Sequence, residues 1–240
     1  MTERLLSNTQ TGFDDIRENY ARICDNIQNA MAASGRTDKV RLMAVTKTVD
    51  CERINFAVGL GVGLLGENRV QEFMDKRGSY APAEVHFIGG LQTNKVKYII
   101  DKVSMIHSVD SFHLAEEISR RGEQHGVVMD ILAEVNIGGE ETKGGVAPRE
   151  IRDFCKRVSE LSGIRLRGLM TIPPPGDGEK SFARMQEIYL DIRENSSAAG
   201  GNAAFDTLSM GMSGDYEAAV KYGSTIVRIG SALFGYRKYI

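Results

Sequence analysis

The 240-residue sequence contains no tryptophan, only three cysteines and five prolines, and no apolar run near the ~18 residues of a membrane span. Its first residues lack the apolar core of a secretory signal. Cys24, Cys51 and Cys155 are too scattered for a metal site, and an odd count suits no simple disulfide framework. We therefore predict reduced thiols in a cytoplasmic protein.

The chain also lacks an excess of positive charge. It has 30 Lys and Arg residues against 32 Asp and Glu residues, giving a formal net charge of −2 and a pI near 6.1. A nucleic-acid surface normally shows as a basic domain or stripe, so the balance argues against a nucleic-acid partner. The four histidines show no metal spacing, and no metal is expected.

Two kinds of segment alternate along the sequence. Short β-branched or apolar runs are typical of strands, and longer amphipathic runs have helical spacing. The predicted strands are 41–47, 63–68, 84–90, 105–110, 129–137, 165–172, 207–211 and 225–230. The predicted helices include 112–124, 148–161, 179–195 and a leading helix from about Gly12 to Ser34.

Eight strands with a helix in each interval predict an α/β fold with parallel pairing, and eight strands close into a filled barrel. We predict a single (β/α)8 barrel domain over 1–240, with the leading helix covering the face left bare after strand eight. An open doubly wound sheet is the main alternative. The longest breaks, 173–178 and 196–202, have loop chemistry and flank no piece large enough to fold alone.

Lys47 ends the first strand, after a run of apolar or small residues. In barrels of this kind the reactive groups lie at the C-terminal ends of the strands. Partial desolvation there disfavours the charged ammonium, and a neutral amine is what imine formation with an aldehyde cofactor requires. A solvent-exposed, charged lysine at a strand end is an equal alternative from position alone.

The turns after strands seven and eight have the composition of a phosphate site. Gly211, Gly214 and Gly230 let the backbone approach a ligand closely, and Ser213 could cap the following helix while donating to a phosphate. The alternative is that these residues only make tight turns and caps. Two such turns at the positions where barrels often hold phosphate favour the binding site.

Arg228 lies within the apolar eighth strand and needs an acceptor if it points inward. A pyridine nitrogen is one candidate, and the carboxylate of Glu134 on strand five is the other. The segment 61–66 matches GxGxxG, but it runs into a strand instead of leaving one for a helix. It therefore fails as a dinucleotide site.

Several blocks of sequence, taken together and in order, resemble a known family. They cover about four-fifths of the chain, and they are AVTK (44–47), GENRVQE (66–72), HFIGGLQTNKVK (86–97), IHSVDS (106–111), VNIGGEETKGG (135–145), GLMTIPP (168–174), LSMGMSGDYEAAVKYGST (208–225) and VRIGSALFGYR (227–237). The chain is similar to the pyridoxal phosphate homeostasis proteins, also called the proline synthetase co-transcribed homologue family. That family has the barrel of alanine racemase without its second domain.

The resemblance implies a pyridoxal 5′-phosphate (PLP) site. Lys47 would carry PLP as a Schiff base, Asn68 would lie near the ring, and Arg228 would face the pyridine nitrogen. Ser213, Gly230 and Ser231 would hold the phosphate, and Ser209 and Met210 would line the same pocket. Lys143 matches a family lysine in the loop after strand five and would contact cofactor or ligand.

Three positions depart from the family pattern. Val85 replaces a usual tryptophan, Val49 a frequent second lysine, and Arg69 a frequent aromatic residue. The residues of the implied PLP site are unchanged by these departures, but any accessory role of a second lysine is absent.

The resemblance implies a binding protein in vitamin B6 and amino-acid homeostasis that carries or regulates PLP without catalysis. The alternative is a racemase-like enzyme, which needs a second acid/base group on the opposite face of the cofactor. Tyr236 and Tyr239 are the only late tyrosines, and they resemble tail residues. Apo forms of PLP-dependent enzymes are candidate recipients, and we expect a monomer without membrane association.

Overall fold

The computed structural model describes residues 13–140, 143–195 and 205–235, so the predicted loop at 196–202, Tyr236 and Tyr239 lie outside the described residues. Eight strands lie within these ranges. They are β1 (Arg41–Val45), β2 (Leu64–Glu67), β3 (Glu84–Phe87), β4 (Met105–Val109), β5 (Met129–Val135), β6 (Ile164–Thr171), β7 (Thr207–Ser209) and β8 (Ile226–Ile229). Each coincides with a predicted strand, so the eight strand predictions are confirmed.

The strands form one closed, parallel barrel in chain order. Each strand pairs with the next, and β1 also pairs with β8, with Arg41 opposite Ile226 and Ala44 opposite Ile229. This last pairing leaves no sheet edge. The predicted barrel is confirmed, and the open doubly wound sheet is wrong.

α-Helices precede β1, follow β8 and fill all but one of the intervals between the strands. They are α1 (Asp14–Ala33), α2 (Cys51–Gly59), α3 (Val70–Lys76), α4 (Phe112–His125), α5 (Ile151–Val158), α6 (Gly178–Glu194), α7 (Tyr216–Lys221) and α8 (Ser231–Phe234). The interval between β3 and β4 differs from the prediction, because it holds a 3-10 helix, Thr93–Tyr98. Val96 and Ile99 are both buried there, and a 3-10 helix places residues three apart on the same face.

The leading helix α1 closes the outside of the barrel beside β1 and β8, as predicted. Its buried residues are Ile16, Ile23, Ile27 and Ala30, at the spacing of one helix face. They pack in one cluster with residues of β1 and β8, including Ala44 and Val227. Even this longest of the described helices is apolar on one side only. Across the described part of the chain, no helix has the length and apolar character needed to cross a bilayer.

Alternation along the strands divides the side chains into an outer shell and a barrel interior. The interior contains two apolar clusters, which are Met43, Val45, Leu64, Ile88 and Ile226, and Met105, Leu132 and Met170. Ion pairs lie towards the N-terminal end of the barrel, between Arg41 and Glu84 and between Arg165 and Asp130. The filled interior leaves room for a ligand above it, at the C-terminal ends of the strands.

Candidate functional site

A cavity of about 430 Å³ opens at the C-terminal end of the barrel. This volume falls within the range of roughly 300–1,000 Å³ that is usual for small-molecule sites. Its walls come from the ends of β1, β2, β3, β6, β7 and β8. The lining residues are Val45, Lys47, Asn68, Ile88, Ile172, Met212, Ser213, Gly214, Arg228, Gly230 and Ser231.

The structure brings together six of the eight residues that the sequence singles out for the PLP site, although they span most of the chain. These six are Lys47, Asn68, Ser213, Arg228, Gly230 and Ser231. Ser209 lies immediately behind Arg228, and the side chain of Met210 lies elsewhere.

Lys47 faces the cavity because it continues the inward alternation of β1. Met43 and Val45 point into the barrel, and Lys47 is the next residue in that series. The side chain is half-buried, and within the described residues its ammonium nitrogen forms no hydrogen bond or ion pair. An amine with no carboxylate partner is free to react with a ligand.

The backbone turns sharply just after Lys47. Thr48 has a φ of 61°, and it is the one non-glycine residue with positive φ among those described. A β-branched residue in this region is strained, and its amide is held by the carboxylate of Glu72. Strain of this kind is often found where a side chain must be held in position at a site. The turn after β1 therefore fixes the direction in which Lys47 leaves the strand.

Asn68 contributes an unsatisfied polar atom to the cavity wall. Its Oδ1 is buried and accepts no hydrogen bond from any described residue. Buried polar atoms are nearly always paired in native proteins, so such an atom at a cavity indicates a ligand that donates to it.

Arg228 forms the floor of the cavity and is almost fully buried. Its Nη1 donates to Ser209 Oγ at 2.8 Å, and its Nη2 donates to the carbonyl oxygen of Thr171 at 2.9 Å. Both acceptors are neutral, and among the described residues Arg228 makes no ion pair with Glu134. Burial lowers the pKa of Arg228 to about 10, with the carboxylates of Glu134 and Asp215 acting in the opposite direction. The guanidinium therefore remains a cation at neutral pH.

Ser213 joins the turn after β7 to the start of α8. Its hydroxyl accepts hydrogen bonds from the amides of Gly230 at 3.2 Å and Ala232 at 3.1 Å. The predicted capping of the helix that follows Ser213 is wrong, because Asp215 occupies the N-cap of α7 and Ser213 bonds to the start of α8 instead. Since both bonds use oxygen lone pairs, the hydroxyl hydrogen stays available for an anion.

Met210 does not line the cavity with its side chain, and this part of the sequence prediction is wrong. Residues of a strand alternate between the two faces, so the inward position of Ser209 sends Met210 outward. Met210 is fully buried in the outer apolar cluster, together with Leu208 and Ala219. Met212, after the end of β7, lines the cavity in its place.

Lys143 lies outside the cavity lining, and its Nζ pairs with Glu140 Oε1 at 3.0 Å in the loop after β5.

Two of the positions that depart from the family pattern also lie away from the cavity. Val49 is buried in the cluster under α1, and Val85 packs against the outer shell. These two departures therefore leave the walls of the cavity intact.

Sequence reasoning missed the apolar walls of the cavity, formed by Val45, Ile88 and Ile172. The alternation of β1 could have identified Val45, which is two residues before Lys47.

The volume of the cavity alone would not have identified the site. A second cavity, of about 490 Å³, lies between α1 and the N-terminal ends of β1 and β2, and includes Cys24 and Arg41.

Comparisons with known proteins agree with this fold. The family model described as alanine racemase, N-terminal domain, matches residues 19–238. The pyridoxal phosphate homeostasis protein of Aquifex aeolicus is 43% identical over 229 residues, which cover 92% of this chain and 98% of that protein.

Solved structures give the same result. An unknown protein from Bifidobacterium adolescentis has a TM-score of 0.86 at 36% identity, covering 95% of this chain and 98% of that one. PipY of Synechococcus elongatus, solved with PLP bound, has a TM-score of 0.79 at 30% identity, covering 92% of this chain and all of PipY (100%). The chain therefore belongs to the pyridoxal phosphate homeostasis protein family, within the wider group that shares the N-terminal barrel of alanine racemase.

Proposed function

We propose that this protein binds PLP in the cavity at the C-terminal end of the barrel, with Lys47 as the Schiff-base lysine. In this proposal it carries or regulates PLP for vitamin B6 and amino-acid homeostasis and does not catalyse a reaction. The observation that carries the proposal is the unpaired amine of Lys47 in one small cavity with Arg228 and the turn containing Ser213. The relatives named for PLP homeostasis, and PipY with PLP bound, support it.

The donor set fits PLP group by group. An aldehyde needs an amine, which Lys47 offers without a competing carboxylate. A phosphate needs hydrogen-bond donors, and two glycine-containing turns, after β7 and after β8, bring Ser213 and Ser231 to the cavity wall. The amide of Gly230 donates to Ser213 Oγ, which leaves the hydroxyl hydrogen of Ser213 for the phosphate. The unsatisfied Oδ1 of Asn68 accepts from a ligand donor, and Val45 and Ile88 provide apolar walls for a ring.

Arg228 supports binding without catalysis. When bound, PLP supplies an aldehyde that condenses with an amine and a ring that can accept electrons. A guanidinium that stays cationic can only donate a hydrogen bond to the ring nitrogen and cannot give it a proton easily. The ring is then a weak electron sink. Arg228 thus holds the ring in place while keeping its reactivity low.

The composition of the cavity wall also disfavours a racemase. Racemisation needs acid/base groups on two faces of the cofactor. Among the described lining residues the titratable side chains are Lys47 and Arg228, and Arg228 is a poor base. One exchangeable amine fits a reservoir better than a proton shuttle between two faces.

Several further properties belong to the same proposal. We propose a cytoplasmic monomer, acting as a single barrel domain, that delivers PLP to apo forms of PLP-dependent enzymes. The barrel runs unbroken from β1 to β8, which supports the single domain. The described thiols Cys24, Cys51 and Cys155 are all free, in keeping with the proposed compartment.

A PLP titration followed by visible absorbance tests the binding proposal. Wild type and a control, Lys156→Ala on the exposed face of α5, should both form a protein-bound imine band, and Lys47→Ala should not. Equal bands in Lys47→Ala and wild type would refute the anchor. Exchange of the α-proton of alanine in D2O, measured with the holo-protein and with free PLP, tests catalysis. A rate well above that of free PLP would establish the enzyme instead.

A further inference from the structure

A chain of buried polar side chains runs through the barrel from the cavity floor towards the N-terminal end. It begins where Arg228 Nη1 donates to Ser209 Oγ at 2.8 Å. Ser209 Oγ lies 3.1 Å from His107 Nδ1, and His107 Nε2 lies 2.9 Å from His86 Nδ1. His86 Nε2 then lies 2.6 Å from Glu84 Oε1, and the other oxygen of Glu84 pairs with Arg41.

The interior members of this chain have little access to water. Ser209, His107 and His86 have no exposed surface, and Arg228 is 4% exposed. Burial lowers the pKa of His86, and burial is also the main reason why the pKa of His107 lies well below its usual range. Both imidazoles are therefore neutral near pH 7, and each has one donor and one acceptor nitrogen.

The ionised end of the chain fixes the direction of every hydrogen bond. Hydrogen bonds from His86 and Arg41 lower the pKa of Glu84 to about 2, so Glu84 can only accept. His86 Nε2 must carry the hydrogen, which leaves its Nδ1 to accept from Nε2–H of His107. Nδ1 of His107 then accepts the Ser209 hydroxyl hydrogen, and the lone pairs of Ser209 face the guanidinium of Arg228.

We propose that Ser209, His107 and His86 are positioning residues that hold the Arg228 guanidinium against the ring of the bound cofactor through a one-way hydrogen-bond chain anchored on Glu84. This inference rests on the proposed PLP site. These hydrogen bonds keep the oxygen of Ser209 as a polarised acceptor under Arg228. This acceptor fixes the plane of the guanidinium and leaves its cavity side for the ligand. The positioning role requires the Nε2–H tautomer in both histidines, whereas a role that only fills space would not require a particular tautomer.

The tautomers can be measured on the wild-type apo-protein, so this test does not depend on PLP. In ¹⁵N-labelled protein near pH 7, we expect a protonated Nε2 and an unprotonated Nδ1 in both His86 and His107. A protonated Nδ1 in either ring, as the other tautomer or as imidazolium, would show that the hydrogen bonds do not run in the proposed direction and would refute the proposal.

Variants test the effect on the cofactor. His107→Leu removes both hydrogen bonds, and Ser209→Ala removes the acceptor under Arg228 at little cost in volume. We expect each to weaken PLP binding roughly tenfold or more and to shift the visible band. Ser209→Ala loses the acceptor of the charged Arg228, and His107→Leu loses the hydrogen bond that orients the Ser209 hydroxyl. His107→Gln, which keeps a donor and an acceptor, should recover part of the affinity, and His125→Gln, at the exposed last residue of α4, is the control.

Wild-type affinity and an unchanged band in folded Ser209→Ala would refute the positioning role. Failure of the wild type to bind PLP at all would instead refute the proposed function. The two failures are thus distinguishable.

Discussion

Gly89 lies directly against the carbonyl oxygen of Asn68. A Cβ placed on Gly89 would come within 2.1 Å of that oxygen, far closer than real contacts allow. The next residue, Gly90, has open space at the same position, with nothing within 4 Å. The segment after β3 can therefore pass behind the cavity wall only with glycine at 89, and this close approach sets the place of Asn68.

We expect Gly89→Ala to displace Asn68 and weaken PLP binding, because the clash is with backbone and cannot be relieved by a rotamer change. Overpacking of this kind costs about 1–3 kcal/mol, so the affinity or the stability of the folded protein should fall by roughly that amount. PLP titration and urea unfolding of Gly89→Ala and Gly90→Ala give the comparison. Identical behaviour of the two variants would show that the approach of β3 does not constrain the site.

The fold could be predicted from the sequence because its signals are local. Eight apolar runs separated by amphipathic segments were enough to predict the number, order and direction of the strands, as the pairing of β1 with β8 confirms. The interval at 93–98 could not be predicted as a 3-10 helix, because both helix types bury residues three apart.

Placement of the candidate site depended on strand alternation and tertiary contacts. Lys47 and Arg228 could be placed from strand ends, and the inward turn of Ser209 explains why Met210 is excluded. The hydrogen bonds of Ser213 to the start of α8 join turns that are distant in sequence, so they could not be predicted from local capping patterns. The hydrogen bond between His86 and His107, across β3 and β4, likewise could not be predicted without knowing the register of the barrel strands.

Ser213→Ala should show how much the phosphate group contributes to the affinity for PLP. We expect its affinity for PLP to fall roughly tenfold, since one donor to an anion is lost, while its affinity for pyridoxal, which has no phosphate, changes far less. Paired titrations of wild type and variant with the two compounds measure the difference. An equal loss for both compounds would mean that Ser213 acts only on the local backbone.

Glu134 should make stability fall as the pH rises. Burial, with a smaller contribution from Asp110, raises the pKa of this carboxyl from 4.5 to about 7, against the opposing charge of Arg228. Between these two values the folded state binds more protons than the unfolded state, so the free energy of unfolding decreases with pH. Glu134→Gln removes the titration and should gain about 1–3 kcal/mol relative to wild type between about pH 5 and about pH 8.

Urea unfolding of the apo-protein at both pH values gives this difference, with Glu116→Gln on the exposed face of α4 as the control. A difference between Glu134→Gln and wild type that does not change with pH would contradict the raised pKa.

The most direct test of the account is to trap the cofactor where it binds. Borohydride reduces the imine of the PLP-loaded protein to a secondary amine that does not hydrolyse, and modification of Lys47 also blocks cleavage by trypsin after it. Mass spectrometry should then find one phosphopyridoxyl group on the peptide 42–53, bounded by Arg41 and Arg53. A cofactor group spread over surface lysines, with the peptide ending at Lys47 unmodified, would contradict the central claim.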